Sequence, residues 1–363
     1  MNIQEARTQF LADKDALADK GVHLNGVVMY ATPEMKRDST LAMDAQPALL
    51  TAPSAGIPAM LTTTIDPNVI RVRFSPTKAA EVLGEQQKGD WRQDTIAFGV
   101  IEQTGEVSSY GDYANNGSVG VNMNWPQRQL YRYQTISEYG ELEVERAGLA
   151  GINLVAEKDN SAATVMGRFE NTVSFFGIAG LQNYGLTNDP ALYAALTPAT
   201  KAAGGTTWFT TGGAPNATAN EVYNDFLSMF AQLVNQTAGL VEATDRMVWT
   251  LSPPQAVALG FINQYNVKVR EAIQAEFPNL RIVTAVQYGK QSAQNPMGLA
   301  AGNMTQLIAE TIDGQETGFT AYAEKMRTHN VVPELSSWKK KWSGATWGAV
   351  WKLPYAVVSM VGI

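Results

Sequence analysis

Two short runs, Ile96-Ala97-Phe98-Gly99-Val100 and Val119-Gly120-Val121-Asn122-Met123-Asn124-Trp125, decide how this chain folds. In each, large apolar side chains recur at every second position, the period of a β-strand. Between the runs lie Gly105, Ser108, Ser109, Gly111, Asp112, Asn115, Asn116 and Gly117, which favour turns and offer little to bury. The pattern predicts a long two-stranded arm over residues 95–133 with a polar, flexible tip. A two-stranded ribbon is marginal in water by itself, so it needs a surface to lie on. Ile96, Phe98, Val100, Val119, Val121, Met123 and Trp125 are therefore the candidate contact residues, and the surface expected under them is an adjacent subunit.

After the ribbon the period changes. Thr135-x-x-Glu138 reads as a capping box, and Glu138, Glu141, Glu143 and Glu145 crowd the first turns, where the helix dipole favours anions. Leu142, Leu149, Ile152, Val155, Val165, Met166 and Phe169 carry an apolar stripe as far as Gly177. One helix over residues 137–175 is expected, about 57 Å long at 1.5 Å per residue. The alternative is a break near Asp159–Ser161.

Upstream, Ile3, Phe10 and Leu17 place a thin apolar stripe on one face of an N-terminal helix. Five of the sixteen prolines then fall between residues 31 and 67, a density that blocks helices and central strands and reads as an extended arm. Val69-Ile-Arg-Val-Arg-Phe74 reads as a strand.

Downstream, from 187 to about 315, helix and strand signals alternate. Thr218-x-x-Glu221 caps a helix carrying Val222, Phe226, Met229, Phe230 and Leu233. Met247–Leu251 is a short strand, and Ser252-Pro253-Pro254-Gln255 starts another helix. A helix follows at 266–276, then strands at Leu280–Val286 and Gln306–Ile312. Such alternation predicts an α/β layer with a central sheet. Residues 318–363 are strand-like.

The composition is that of a globular protein, with 45% hydrophobic and 17% charged residues. Residues 1–20 carry Glu5, Asp13, Asp15 and Asp19 and no apolar segment, so no secretory leader is expected. No apolar run approaches the length of a membrane helix. Cysteine is absent, which excludes disulfides, thiolate metal sites and a cysteine nucleophile. A net charge of −7 disfavours tight nucleic-acid binding.

No active site is evident. Only two histidines occur, His23 and His329, in unrelated contexts. Lys201-Ala-Ala-Gly-Gly has its lysine before the glycines, the wrong order for a phosphate-binding loop. No cofactor is expected. Trp338-Lys-Lys-Lys-Trp342, with Trp347 and Trp351, mixes bases and aromatics as single-strand binders do. The rest of the chain supplies no basic groove, so a core or interface role ranks higher.

The order of parts resembles the Hong Kong 97 fold of tailed-bacteriophage major capsid proteins, shared with herpesvirus shell floors and bacterial encapsulins. Tyr139-Gly-Glu141-Leu142…Arg146-Ala147 is similar to the start of the spine helix in one such family. Phe175-Phe-Gly-Ile-Ala-Gly-Leu-Gln-Asn-Tyr-Gly185 is similar to the passage from spine to axial domain. The resemblance implies an α+β fold with an N-terminal arm at 1–68 and a peripheral domain at 69–186 and 316–363. The latter includes an extended loop at 91–133 and a spine helix at 137–175. An axial domain is implied at 187–315.

It also implies a function: self-assembly into hexamers and pentamers of an icosahedral head around double-stranded DNA. Portal and scaffold or decoration proteins are the implied partners. The particle would be assembled in the bacterial host cytoplasm, with no membrane involved. Some members weld subunits through a Lys–Asn bond from the extended loop. Here residues 91–133 contain no lysine, so no cross-linking residue is expected. The rival readings are an encapsulin-like compartment and a carboxylate-dependent hydrolase.

Overall fold

The expected helix start is a strand. Tyr131, Tyr133, Ser137 and Tyr139 alternate toward one covered face of Tyr131–Gly140, with Arg132, Gln134, Ile136 and Glu138 exposed between them. That period-two run takes in the expected capping box and pairs with the C-terminal part of the chain, Thr135 lying opposite Trp342. The tertiary partner overrides the local helix signal. The computed structural model that shows this describes residues 77–113, 116–149, 151–293 and 295–363. The expected arm at 1–68, the strand at 69–74 and His23 lie outside them.

In chain order the elements of the first layer are α1 (Ala79–Leu83), β1 (Glu85–Gln87), β2 (Thr95–Ala97), β3 (Val100–Glu106), β4 (Ser118–Asn124), β5 (Gln127–Gln129), β6 (Tyr131–Gly140), α2 (Glu141–Leu149) and α3 (Leu154–Phe176). The spine is thus two helices, correcting the single helix expected over 137–175. The break falls between Leu149 and Leu154, not at Asp159–Ser161. Gly151 takes φ +72, a left-handed conformation that ends α2, and the Ile152 N–H donates to Ala147 O at 2.9 Å. The Asn153 side chain then accepts from Ala156 N–H and caps α3. Asp159 stays helical because its carboxylate receives the Lys340 ammonium at 2.7 Å and Ala162 packs under Trp342.

The second layer comprises α4 (Ala219–Gln236), β7 (Met247–Leu251), α5 (Pro253–Ala256), α6 (Val269–Glu276), β8 (Leu280–Thr284), β9 (Met304–Ala309), β10 (Thr311–Ile312) and β11 (Gln315–Glu316). It is followed by β12 (Gly318–Pro333), β13 (Ser337–Trp351) and β14 (Val357–Val361). The Thr218–Glu221 capping box forms: the Glu221 carboxylate accepts from the Thr218 N–H at 2.7 Å.

Two four-stranded sheets organise these elements. The first runs β1-β12-β13-β6 and is antiparallel except for the β1–β12 pair; α3 lies across it. Its α3 side buries Met166, Ala162 and Trp342, with Tyr133 meeting Phe169 at 4.9 Å between ring centroids. The second sheet runs β14-β9-β7-β8, with only β7 and β8 parallel. Every residue of β7 and β9 is buried, as expected for strands covered on both faces. On one face α4 and α6 cover Trp249, α4 bringing Phe226 against its ring and the end of α6 bringing Phe277 against Phe226. On the other, Phe175 at the end of α3 meets Tyr288 edge-on, joining the two layers.

Strand β14 pairs with β9, so Val357–Val361 belong to the second sheet and not with the rest of 316–363. The buried β9 would otherwise leave one edge of backbone donors and acceptors unpaired in the core. Both sheets lie within one compact unit, Pro76–Ile363.

The C-terminal tryptophans are structural. Trp342, Trp347 and Trp351 are buried, and Trp338 stacks on Tyr139. Lys339 pairs with Glu138 and Glu334, and Lys340 pairs with Asp159 while lying over the Trp342 ring. Two of the three lysines are therefore neutralised within the subunit, which argues against a nucleic-acid groove here.

Candidate functional site

The ribbon is built from its root outward. Arg128 on β5 donates to Asp189 at 2.7 Å and lies over the Tyr184 ring, both partners of the ion pair being nearly inaccessible. Arg132 on β6 donates to Asp94 at 2.7 Å and to the Trp91 carbonyl. These contacts fix where the two strands leave the subunit.

From there β2 pairs with β5 and β3 with β4 in one antiparallel register without a bulge: Ala97 opposite Gln127, then Val100 opposite Asn124. Residues directly opposite share a face, and successive residues alternate. Ile96, Phe98 and Val100 thus lie on one face. Trp125, Met123, Val121 and Val119 lie on the other, together with Ile101.

The two faces have different fates. Ile96 and Phe98 turn into the subunit's own core, packing with Trp91 against Leu130, Phe319 and Trp347. Phe98 meets Phe319 edge-on at 6.1 Å. This amends the expectation that they contact an adjacent subunit. Two residues on, at Val100, the same face turns polar with Glu102, Thr104, Asn122 and Asn124, and the Asn122 amide donates to Glu102 at 3.2 Å.

The opposite face stays apolar to the end of the strands. Ile101 and Met123 are each 63% exposed, Val121 55% and Val119 92%. Trp125, 60% exposed, begins this row and rests on Gly99, where an added Cβ would lie 2.9 Å from the indole.

Ile101 was not among the candidate residues. Its signal is the cross-strand register, which places it opposite Met123. The tip is also less polar than its glycines and serines suggest, since Val107, Tyr110 and Tyr113 are fully or almost fully exposed there. Asp94, Glu102, Glu106 and Asp112 are the only charges between residues 93 and 127, so the ribbon is acidic as well as half apolar.

The other described residues hold no metal cluster and no membrane-length helix. No group of three or more metal-ligating His, Cys, Asp or Glu occurs among the described residues. The His329 ring lies 2.8 Å from the Ser343 hydroxyl, but Ser343 is buried between strands and presents no nucleophile to a substrate. No helix among the described residues is long and apolar enough to cross a membrane.

Solved structures with this fold are phage shells and related particles. The capsid of Myoviridae phage XM1 superposes with a TM-score of 0.69 at 12% identity, covering 85% of this chain and all of that one. Gordonia phage Cozz gives 0.56 at 11% identity, covering 88% and 98%. The capsid of a native GTA particle gives 0.56 at 12% identity, covering 86% and 99%. At such identities the likeness establishes the fold, which is of Hong Kong 97 type. No curated protein matches. A family model described as Pa193 gp26 major capsid protein matches residues 48–362. That is a structural family, and it sets the hydrolase reading aside. A ribbon whose apolar face lies exposed among the described residues, the shell-protein fold and a family match over most of the sequence lead to one conclusion: the chain belongs to the Pa193 gp26 major capsid protein family and is a shell-forming component of a bacteriophage virion.

Proposed function

We propose that this protein assembles into hexamers and pentamers that tile an icosahedral head around double-stranded DNA. The apolar face of the outer ribbon, Ile101, Val119, Val121, Met123 and Trp125, would lie on an adjacent subunit, with Val100 exposed on the reverse face as a second, smaller contact. The observation that carries the proposal is that amphipathic ribbon. Its core-facing residues stop at Phe98, yet large apolar side chains continue on the opposite face, exposed and outside every core cluster of the described residues. Apolar surface of this kind on paired strands either finds a specific partner or promotes aggregation.

The layers fit this use. The sheet under α3, built from β1, β6, β12 and β13, would form the core of the peripheral domain, and 187–315 with Val357–Val361 the axial one. A portal and a scaffold or decoration protein would complete the head in the host cytoplasm. The net charge of −7 suits a wall that encloses DNA without adhering to it. An encapsulin-like compartment would use the same fold with protein cargo.

Electron microscopy of the expressed protein, with analysis of particle contents, tests the reading. Closed particles holding DNA in infected cells support it. Particles filled with a single foreign protein favour the compartment. A Val121→Asp variant should keep a folded subunit and lose particles; normal particles from it would remove the ribbon from the interface.

A further inference from the structure

Beneath α3 the described residues line a half-open pocket of about 260 Å3. Its wall brings together Ala79 of α1, Glu85 of β1, Met166 and Glu170 of α3, and Lys325 of β12. Charges there do not balance. The Lys325 ammonium is already paired with the Glu85 carboxylate, so Glu170 is a second acid sharing one base. No hydrogen-bond donor among the described residues satisfies the Glu170 carboxylate.

The remaining neighbours do not compensate. From β6, Tyr133 faces the site with a phenol whose proton is held more tightly by burial and by the Glu170 charge, so it is neutral. Lys78, just before α1, is tied to Glu81. Arg168, on the same helix as Glu170, is itself partnered. Burial pushes the Glu170 carboxyl up to about 7; the Lys325 charge opposes this and the Glu85 charge adds to it. When Glu170 is protonated the cluster holds one anion and one cation. When it ionises, a second anion joins Glu85 beside a single base in a half-buried position, which is unfavourable.

The cluster sits where α3 is seated. The neighbouring residue, Asn171, accepts from the backbone N–H groups of Lys78 and Ala79 at 2.9 and 3.0 Å, so the same turn of α3 also holds the start of α1. We propose that Glu170 is a proton-operated latch: protonated, it seats α3 on β1 and β12; ionised, it loosens that seat and the attached α1. The latch belongs to the subunit and does not depend on how subunits assemble.

Hydrogen exchange of the unassembled subunit tests it, corrected for intrinsic exchange. Between about pH 6 and about pH 8, protection of the amides around Glu170 and in α1 should fall roughly tenfold, because the closed form gives up one proton that the open form does not hold. Glu170→Gln should keep full protection at both pH values. Glu85→Gln leaves Lys325 to Glu170 alone, and should move the fall to lower pH. Equal protection of the wild type at the two pH values would overturn the proposal. So would a tenfold fall that persists in Glu170→Gln, or one that Glu85→Gln leaves in place.

Discussion

The Arg128 guanidinium donates to the Asp189 carboxylate at 2.7 Å, with Asp189 wholly and Arg128 almost wholly inaccessible. The pair joins the strand that leaves the ribbon to the loop that follows α3. The second Asp189 oxygen accepts from the Ala191 N–H at 2.9 Å, so the carboxylate is held from two sides. Removing one member of a buried pair leaves the other uncompensated, at a cost of about 3–5 kcal/mol. Asp189→Ala should therefore lower the subunit's urea midpoint substantially. A midpoint within experimental error of wild type would show that water reaches Arg128.

Phe98 and Trp125 make a matched pair of probes, because the register puts them on opposite faces of one ribbon. Phe98→Ala should destabilise the unassembled subunit by about 2 kcal/mol or more, since Phe98 packs on the core. Trp125→Ala should leave subunit melting nearly unchanged and weaken assembly by about 2 kcal/mol per contact if it anchors the interface. Subunit melting and particle yield, measured on both variants, give the answer; early melting of Trp125→Ala would assign the indole to its own subunit.

The division of the spine makes one proline harmless and another damaging. Leu154 is the first residue of α3, where the helix itself needs no N–H, and Asn153 before it, at φ −82° and ψ 85°, stays outside the α region that a following proline disfavours. Leu154→Pro should cost less than about 1 kcal/mol. Met166→Pro, inside the helix and buried, should cost about 3 kcal/mol or more and abolish soluble product. Equal expression of the two variants would contradict the helix limits.

The pH dependence of stability has a definite sign. The Glu170 carboxyl titrates near 7 in the folded chain against an ordinary value of 4.5, so the folded state holds an extra proton between them. Its contribution is whole below the ordinary value and is lost as pH rises through about 7, by at most about 3 kcal/mol. The difference in stability between wild type and Glu170→Gln, followed by urea titration from acid to mildly alkaline pH, should grow in favour of glutamine across that window. A constant difference would mean the carboxyl is solvated.

Assembled shells should carry no covalent links between subunits. The ribbon between residues 93 and 127 contains no lysine, and the nearest one upstream, Lys88, lies over the Phe319 ring of its own subunit. Boiled in detergent, shells should run as one band near 39.3 kDa. A ladder of multiples would show cross-linking from elsewhere in the chain.

Some of this architecture is written in local sequence. The period-two runs around Phe98 and Val121, the Thr218–Glu221 box, the Ser252-Pro253 helix start and the apolar run at 247–251 all take the form their residues predict. Each depends on neighbours within a few positions, so each is legible in a short window. The spine was legible only in part. Its apolar stripe is real, but Gly151 and Asn153 interrupt it with a helix stop and a helix start that a count of apolar residues passes over.

By itself, then, the sequence determined the succession of strand and helix signals, the amphipathic ribbon and the lack of metal-binding cysteines, because these rest on residue type and short spacing. Only the tertiary structure decided that residues 131–140 are a strand, since their partner is 203 positions away at Ser137 and Lys340. It alone brought Ile101 to the apolar face, sent Ile96 and Phe98 inward, and gathered Glu85, Glu170 and Lys325 around one pocket. Cross-strand register and burial are properties of contacts between distant segments. No local pattern carries them until the chain has closed on itself.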